Sequence, residues 1–264
     1  MSISSVHRSA LAVGISILTL GLGAGAARAA ADITGMWQYD FSLRQGGQAI
    51  IAEQPSLTDA AKALQAQRRA ARLKGYVREL GNMKCLPTGT PQLMTWRSPL
   101  EIMQGFGRIS IITEHDPGND EPRTIYLNES KHPDDVAPSW NGHSIGHWEG
   151  KTLVVDTVGF NERANLLSGV PRSPDSHLVE RFHLTKGGKV LLDDLTMSDP
   201  QSLTKPWTVT LTYNRMPASS ERLEAVCEPD LDALQKVDVD ALKAFDVEAQ
   251  RMTDPSQRYN PGGK

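Results

Sequence analysis

Residues 140–157 read "WNGHSIGHWEGKTLVVDT". Two runs of alternating character flank Gly150-Lys151, which supplies a tight turn, so the stretch predicts a β-hairpin. Side chains alternate across a strand. Ser144, Gly146 and Trp148 therefore share one face of the first arm, and His143, Ile145, His147 and Glu149 the other. On the return arm Leu153, Val155 and Thr157 oppose Thr152, Val154 and Asp156. Both faces are mixed. Either one face meets solvent while the other meets an apolar core, or one face lines a polar cavity. Asp156 weighs on this choice, because aspartate is depleted in strand interiors and needs a partner when buried. A cavity holding Asp156 and His143 accounts for both residues.

Outward from the hairpin the pattern repeats. Further strands are expected at 92–97, 100–106, 108–115, 123–128, 177–185, 189–198, 207–215 and 222–228. They are joined by turn-rich links such as "DPGNDEP", "TKGGK" and "MPASS". Short strands at spacings near ten residues, without alternating helices, indicate a mainly β fold: an antiparallel barrel or sandwich. Gly35-x-Trp37, in "ITGMWQYDF" (33–41), resembles the opening strand of lipocalin-like barrels. Residues 57–74 predict an amphipathic helix, with Ser56 or Thr58 as cap and Gly75 as stop, packed outside the sheet. A second outer helix is expected within 229–247, followed by a disordered tail over 251–264. Residues 31–250 read as one β-rich domain.

The first thirty residues have the order of a secretory leader: His7 and Arg8, an apolar run, then "ARAAAD" with cleavage after Ala29, Ala30 or Ala31. A periplasmic or secreted protein follows, with no membrane association after cleavage. The formal charge of −3 becomes −5 when Arg8 and Arg28 leave with the leader. A mildly acidic chain without a Lys/Arg run argues against nucleic acid and anionic membranes as partners. The two cysteines, Cys85 and Cys227, are expected to form a disulfide in that compartment. It closes a loop of about 140 residues, worth about 4–5 kcal/mol in the chain-entropy account.

Candidate chemistry lies on polar residues at strand positions. Glu180 shares a face with Leu178 and Phe182, and burial there raises a carboxyl toward general acid or base duty. The competing reading is a structural Glu–Arg pair. Arg97 offers a planar fork for a carboxylate or phenolate, or a partner for Glu101 or Asp156. His143, Asp156, Glu180 and Arg97 are thus the candidate catalytic residues. Trp96, Trp140, Trp148, Phe160, His177 and Tyr213 are candidate substrate-binding residues. His143 and His177, with His132, Asp156 or Glu180, are a candidate His/carboxylate metal set, but histidines four apart in a strand stand roughly 13 Å apart, too far to share an ion, so no metal is expected. The nucleophile elbow, phosphate loop and dinucleotide fingerprint are absent from the sequence.

The runs "MTWRSPLEI", "RISIITEHD", "RTIYLN", "KHPDDVAPSWNGHSIGHWEGKTLVVDTVGFNER", "HLVERF" and "KPWTVTLTYNRMP" resemble a large family of exported bacterial proteins, mostly without assigned function, over about residues 90–230. Arg97, His132, Trp140, His143, Asp156, Glu180 and Arg181 match its pattern. His147 stands where an arginine is usual, and residues 161–165 depart from it. A fainter resemblance, to γ-formaldehyde lyases of lignin-derived phenylcoumarans, implies a reaction without cofactor. A base takes the proton of a primary alcohol, formaldehyde departs, and the cyclic ether opens to a phenolate with formation of a stilbene. In that reading His143 or Glu180 is the base, Arg97 steadies the phenolate, and the tryptophans with Phe160 hold a small aromatic substrate. A non-catalytic binder of a hydrophobic small molecule, a hydrolase of plant-polymer fragments and a homodimeric state stay open.

Overall fold

The computed structural model describes residues 30–40, 44–45, 48–49, 54–73, 87–95, 98–114, 122–162, 164–167 and 169–223. Among them, nine strands form a closed barrel: β1 (Gly35–Tyr39), β2 (Leu100–Gly105), β3 (Arg108–Thr113), β4 (Arg123–Tyr126), β5 (His143–Glu149), β6 (Thr152–Val158), β7 (His177–Thr185), β8 (Val190–Ser198) and β9 (Trp207–Arg215). Each strand pairs with its neighbours in sequence, and β1 closes the ring between β2 and β9. The barrel thus replaces the barrel-or-sandwich alternative, and full closure leaves no edge strand in the ring.

A ring of purely antiparallel neighbours needs an even number of strands. With nine, at least one pair must run parallel. That pair is β4–β5, in register Ile125↔Ser144 and Tyr126↔Ile145. Two-residue turns cannot join parallel strands, so residues 127–142 run back along the outside as a long return segment. The segment is pinned at one end by Leu127 N donating to Gly107 O (2.9 Å). At the other end Ser139 N donates to Gly159 O (3.0 Å) and Asn161 N to Ser139 O (2.9 Å). Gly159 has φ +71°, and a Cβ there would lie 2.2 Å from Val136 Cγ1. Only glycine admits both that backbone and that approach.

Alternation decides what lies inside. Trp37, Ile102, Ile109, Ile111, Ile125, Leu153, Val155, Leu178, Phe182, Leu191, Leu195 and Leu211 are wholly or almost wholly buried in one apolar core. Ile33 seals one end of the barrel, where Trp37 Nε1 donates to its carbonyl and Arg215 lies over the Trp37 ring at 4.1 Å. The other end is covered by residues 87–95, 159–162, 164–167 and 169–173. Their organiser is Arg172, which donates to the carbonyls of Thr90, Trp140 and Asn161.

The helix α1 (Asp59–Leu73) is capped by Thr58, whose Oγ1 accepts from Ala61 N at 3.2 Å. It lies against the Val170–Pro171 segment. Residues 92–95 correct one expectation: the predicted strand is a short 3-10 helix, Gln92–Thr95, that buries Leu93 and Met94. Cys85, Cys227, the leader, the C-terminal helix and the tail lie outside the described residues.

Candidate functional site

Strands β5, β6 and β7 lie side by side, and each carries polar residues on both faces. On the outer face His143 of β5, Asp156 of β6 and His177 of β7 point the same way as His132 of the return segment. Asp156 Oδ1 meets His132 Nε2 at 2.9 Å and His177 Nε2 at 3.0 Å, while its Oδ2 lies 3.1 Å from His177 Nε2. His132 Nδ1 meets His143 Nδ1 at 2.8 Å. His143 Nε2 faces Glu129 Oε2 at 3.3 Å. The Tyr126 ring stacks on His143, 5.2 Å between centroids and 18° between planes. The five side chains form one line: Glu129, His143, His132, Asp156, His177.

The electrostatics of the line follow from half-burial. Burial works to raise the Asp156 carboxyl, but hydrogen bonds from His132 and His177 outweigh it and hold it below the ordinary carboxylate range. Burial lowers the proton affinity of His143, with His132 adding to the effect and Glu129 opposing it. An ionised Asp156 accepts Nε2–H from both of its histidines. That fixes the tautomer of each ring and leaves His177 Nδ1 as a basic nitrogen. The His177 side chain is 44% exposed, and among the described residues its Nδ1 has no partner. A carboxylate-oriented imidazole with one free nitrogen open to solvent is equipped for general base catalysis. Among the described residues no three His, Cys, Asp or Glu side chains group so as to hold a metal ion.

On the inner face of the same strands a different set meets. Arg123 of β4 donates from Nη1 to Glu180 Oε1 of β7 at 2.7 Å, and its Nη2 closes a second contact to Oε2. Nη2 also reaches Thr157 Oγ1 (3.2 Å) and Ser144 Oγ (3.4 Å). Both charged side chains are fully buried. Asp193 of β8 is also fully buried, and among the described residues neither of its oxygens has a hydrogen-bond partner. Burial, then the charge of Glu180, push its carboxyl well above the usual range.

The wall therefore separates the residues expected to act together. His143, Asp156 and His177 meet on the outside under the return segment. Glu180 lies inside, in the structural pair that competed with its catalytic reading. Trp96 and Arg97 lie outside the described residues. Phe160 is buried beneath Arg172, 4.8 Å from ring centroid to guanidinium carbon. Tyr213 is buried with its hydroxyl donating to Met94 O at 2.6 Å. Trp148 packs from the inner face against the core, and Trp140 lends its carbonyl to Arg172. Sequence reasoning missed Glu129, Arg123 and Asp193. Arg123 precedes Ile125 by two, and Asp193 falls in step with Leu191, Leu195 and Met197, so alternation carries the signal for both. Glu129 sits in a loop and has none.

No family model and no curated protein matches the chain. Among solved structures, the barrel is similar to zebrafish ileal bile acid-binding protein complexed with cholic acid. The identity is 12%, with 69% of this chain and 98% of that chain covered, at a TM-score of 0.33. It is also similar to the fluorescent protein UnaG, at 14% identity, 69% and 96% coverage and a TM-score of 0.32. The likeness is one of fold.

Proposed function

We propose that this chain is an exported barrel that binds a small aromatic molecule over the outer cluster of β5–β7 and works on it by acid–base chemistry. The observation that carries the reading is Asp156 gripped by two imidazoles, one of which presents an unpartnered nitrogen to solvent. Glu129, Asp134, Asp135, Glu149 and Asp156 outnumber Lys131 and Arg181 on the return segment and the wall behind it, which disfavours an anionic substrate and suits a neutral alcohol. This agrees with the reaction implied by the family resemblance. His177 removes the hydroxyl proton of a phenylcoumaran, formaldehyde leaves, and a stilbene forms without a cofactor.

Binding without turnover is the second reading, in keeping with the lipocalin-like barrel. One experiment separates the two. The mature protein is incubated with a phenylcoumaran, formaldehyde and stilbene are quantified, and binding of the same compound is followed by calorimetry. Release that disappears in His177→Gln supports the lyase. Binding with no release assigns a binding protein. Neither binding nor release across several such dimers removes both readings.

A further inference from the structure

The hydrogen bonds of the outer line dictate where its ring protons sit. Asp156, ionised, only accepts, so His132 Nε2 carries the proton of their 2.9 Å contact. A neutral His132 then has a bare Nδ1, and the 2.8 Å contact between the two Nδ1 atoms requires His143 to donate. A neutral His143 therefore holds its single proton on Nδ1 and presents a bare Nε2. Two hydrogen bonds use two protons, one from each ring. Burial disfavours a further proton on His143.

The neighbour of that bare nitrogen is Glu129 Oε2 at 3.3 Å, which acts on the ring through charge and not through a hydrogen bond. A carboxylate oxygen and an imidazole lone pair are both acceptors. Side by side they repel, and a donor lying against both removes the repulsion. Among the described residues neither atom has such a donor. The nitrogen is not sealed either. The fully enclosed side-chain atoms without a partner among the described residues are Arg123 Nε and the two Asp193 oxygens, and His143 Nε2 is not one of them. Tyr126 covers a face of the His143 ring, whereas the lone pair of Nε2 lies in the ring plane.

We infer that His143 Nε2 and Glu129 Oε2 form a two-acceptor subsite for a neutral hydroxyl donor, a phenol or an alcohol, at the end of the outer cluster away from His177. In the proposed reaction His177 Nδ1 takes the reacting hydroxyl, and this pair holds a second hydroxyl of the same molecule. β5 and β7 flank β6, so the strands carrying the two histidines lie about 10 Å apart, a span that a molecule of two aromatic rings bridges. The subsite refuses an anion, because both of its atoms accept and Glu129 adds negative charge. It also refuses a methyl ether, which has no proton to give. His132 is a positioning residue here, because its bond to Asp156 sets the tautomer of His143. The choice of a hydroxyl over an ammonium rests on the proposed lyase function; the tautomer and the acceptor pair do not.

Nitrogen-15 spectra of the histidines in the full chain test this at neutral pH. They are recorded alone, with a phenylcoumaran that carries a free phenol, and with its O-methyl ether. The unliganded chain is expected to show His143 protonated on Nδ1 and bare on Nε2. The free phenol should move the Nε2 signal, and should bind about ten- to a hundredfold tighter than the ether in calorimetry. In Glu129→Gln the amide donates to Nε2 from within the chain, so the gap between the two compounds should close. A proton on His143 Nε2 in the unliganded wild type overturns the tautomer and the subsite with it. An Nε2 signal that neither compound moves, or that both move alike, overturns the subsite. A gap that persists in Glu129→Gln overturns the part given to Glu129. These outcomes are read from ring signals and binding, so failure of formaldehyde release is a separate result.

Discussion

Asp156 and Asp193 are the same residue type on neighbouring parts of one wall, and they titrate in opposite directions. Asp156 faces outward, half in water, with two imidazoles donating to it, and is held below the ordinary carboxylate range. Asp193 faces inward beside Glu180, without hydrogen-bond partners among the described residues, and is held well above it. The inner set answers to the cost of burying charge, so it pairs or neutralises. The outer set keeps ionised and neutral groups in contact with solvent, which proton transfer requires. One step along a strand, from Asp156 to Thr157 or from Val179 to Glu180, crosses from one regime to the other.

The comparison breaks most readily at Glu180. Glu180→Ala leaves Arg123 charged and unpaired in the core, and a loss of about 3–5 kcal/mol is expected in chemical denaturation. A loss under about 1 kcal/mol would show the inner pair to be dispensable to the fold. On the outer face the effect should fall on chemistry instead. Asp156→Asn is expected to slow formaldehyde release about a hundredfold to ten-thousandfold while moving the unfolding midpoint by less than about 1 kcal/mol. Equal damage to both properties would erase the distinction between the two faces.

Gly159→Ala tests the return segment that brings His132 to the wall. The new methyl meets Val136 and the backbone φ is strained, so a cost of about 1–3 kcal/mol is expected, with weakened coupling between the His132 and His143 ring signals. Unchanged ring signals would detach the segment's anchor from the site.

The smallest effect is a pair of opposed pH slopes. Asp193, raised in the fold, keeps a proton that the unfolded chain loses above its ordinary carboxyl range. Its contribution is full at low pH and is lost as pH rises toward the folded value, at up to about 1.4 kcal/mol per pH unit. Asp156, lowered in the fold, contributes above that range and loses its contribution as pH falls through its folded value. Denaturation across pH should therefore flatten on the alkaline side in Asp193→Asn and on the acid side in Asp156→Asn. Slopes of the same sign would contradict the assignment of the two environments.

The strands were legible because most follow period-two alternation with turn residues between them: 177–185 and 207–215 match residue for residue. Residues 92–95 misled because "QLMT" is as apolar as a strand yet follows Pro91 in a turn and buries Leu93 and Met94 from a single helical turn. Alternation also placed His143 with His147 and His177 with Arg181 on common faces. Which face lay inside depended on ring closure, a property of all nine strands that no single one reveals. The convergence of His132 and Glu129 on that face was hidden for the same reason, since it follows from the route of residues 127–142.

An odd ring of opposed neighbours is the geometry of a frustrated magnet: somewhere two adjacent arrows must agree. In this barrel the mismatch falls between β4 and β5. The detour that repairs it carries two of the five side chains of the outer line, Glu129 and His132. Adding or removing one strand would relieve the mismatch and delete the detour, so strand number and chemistry here are inherited together.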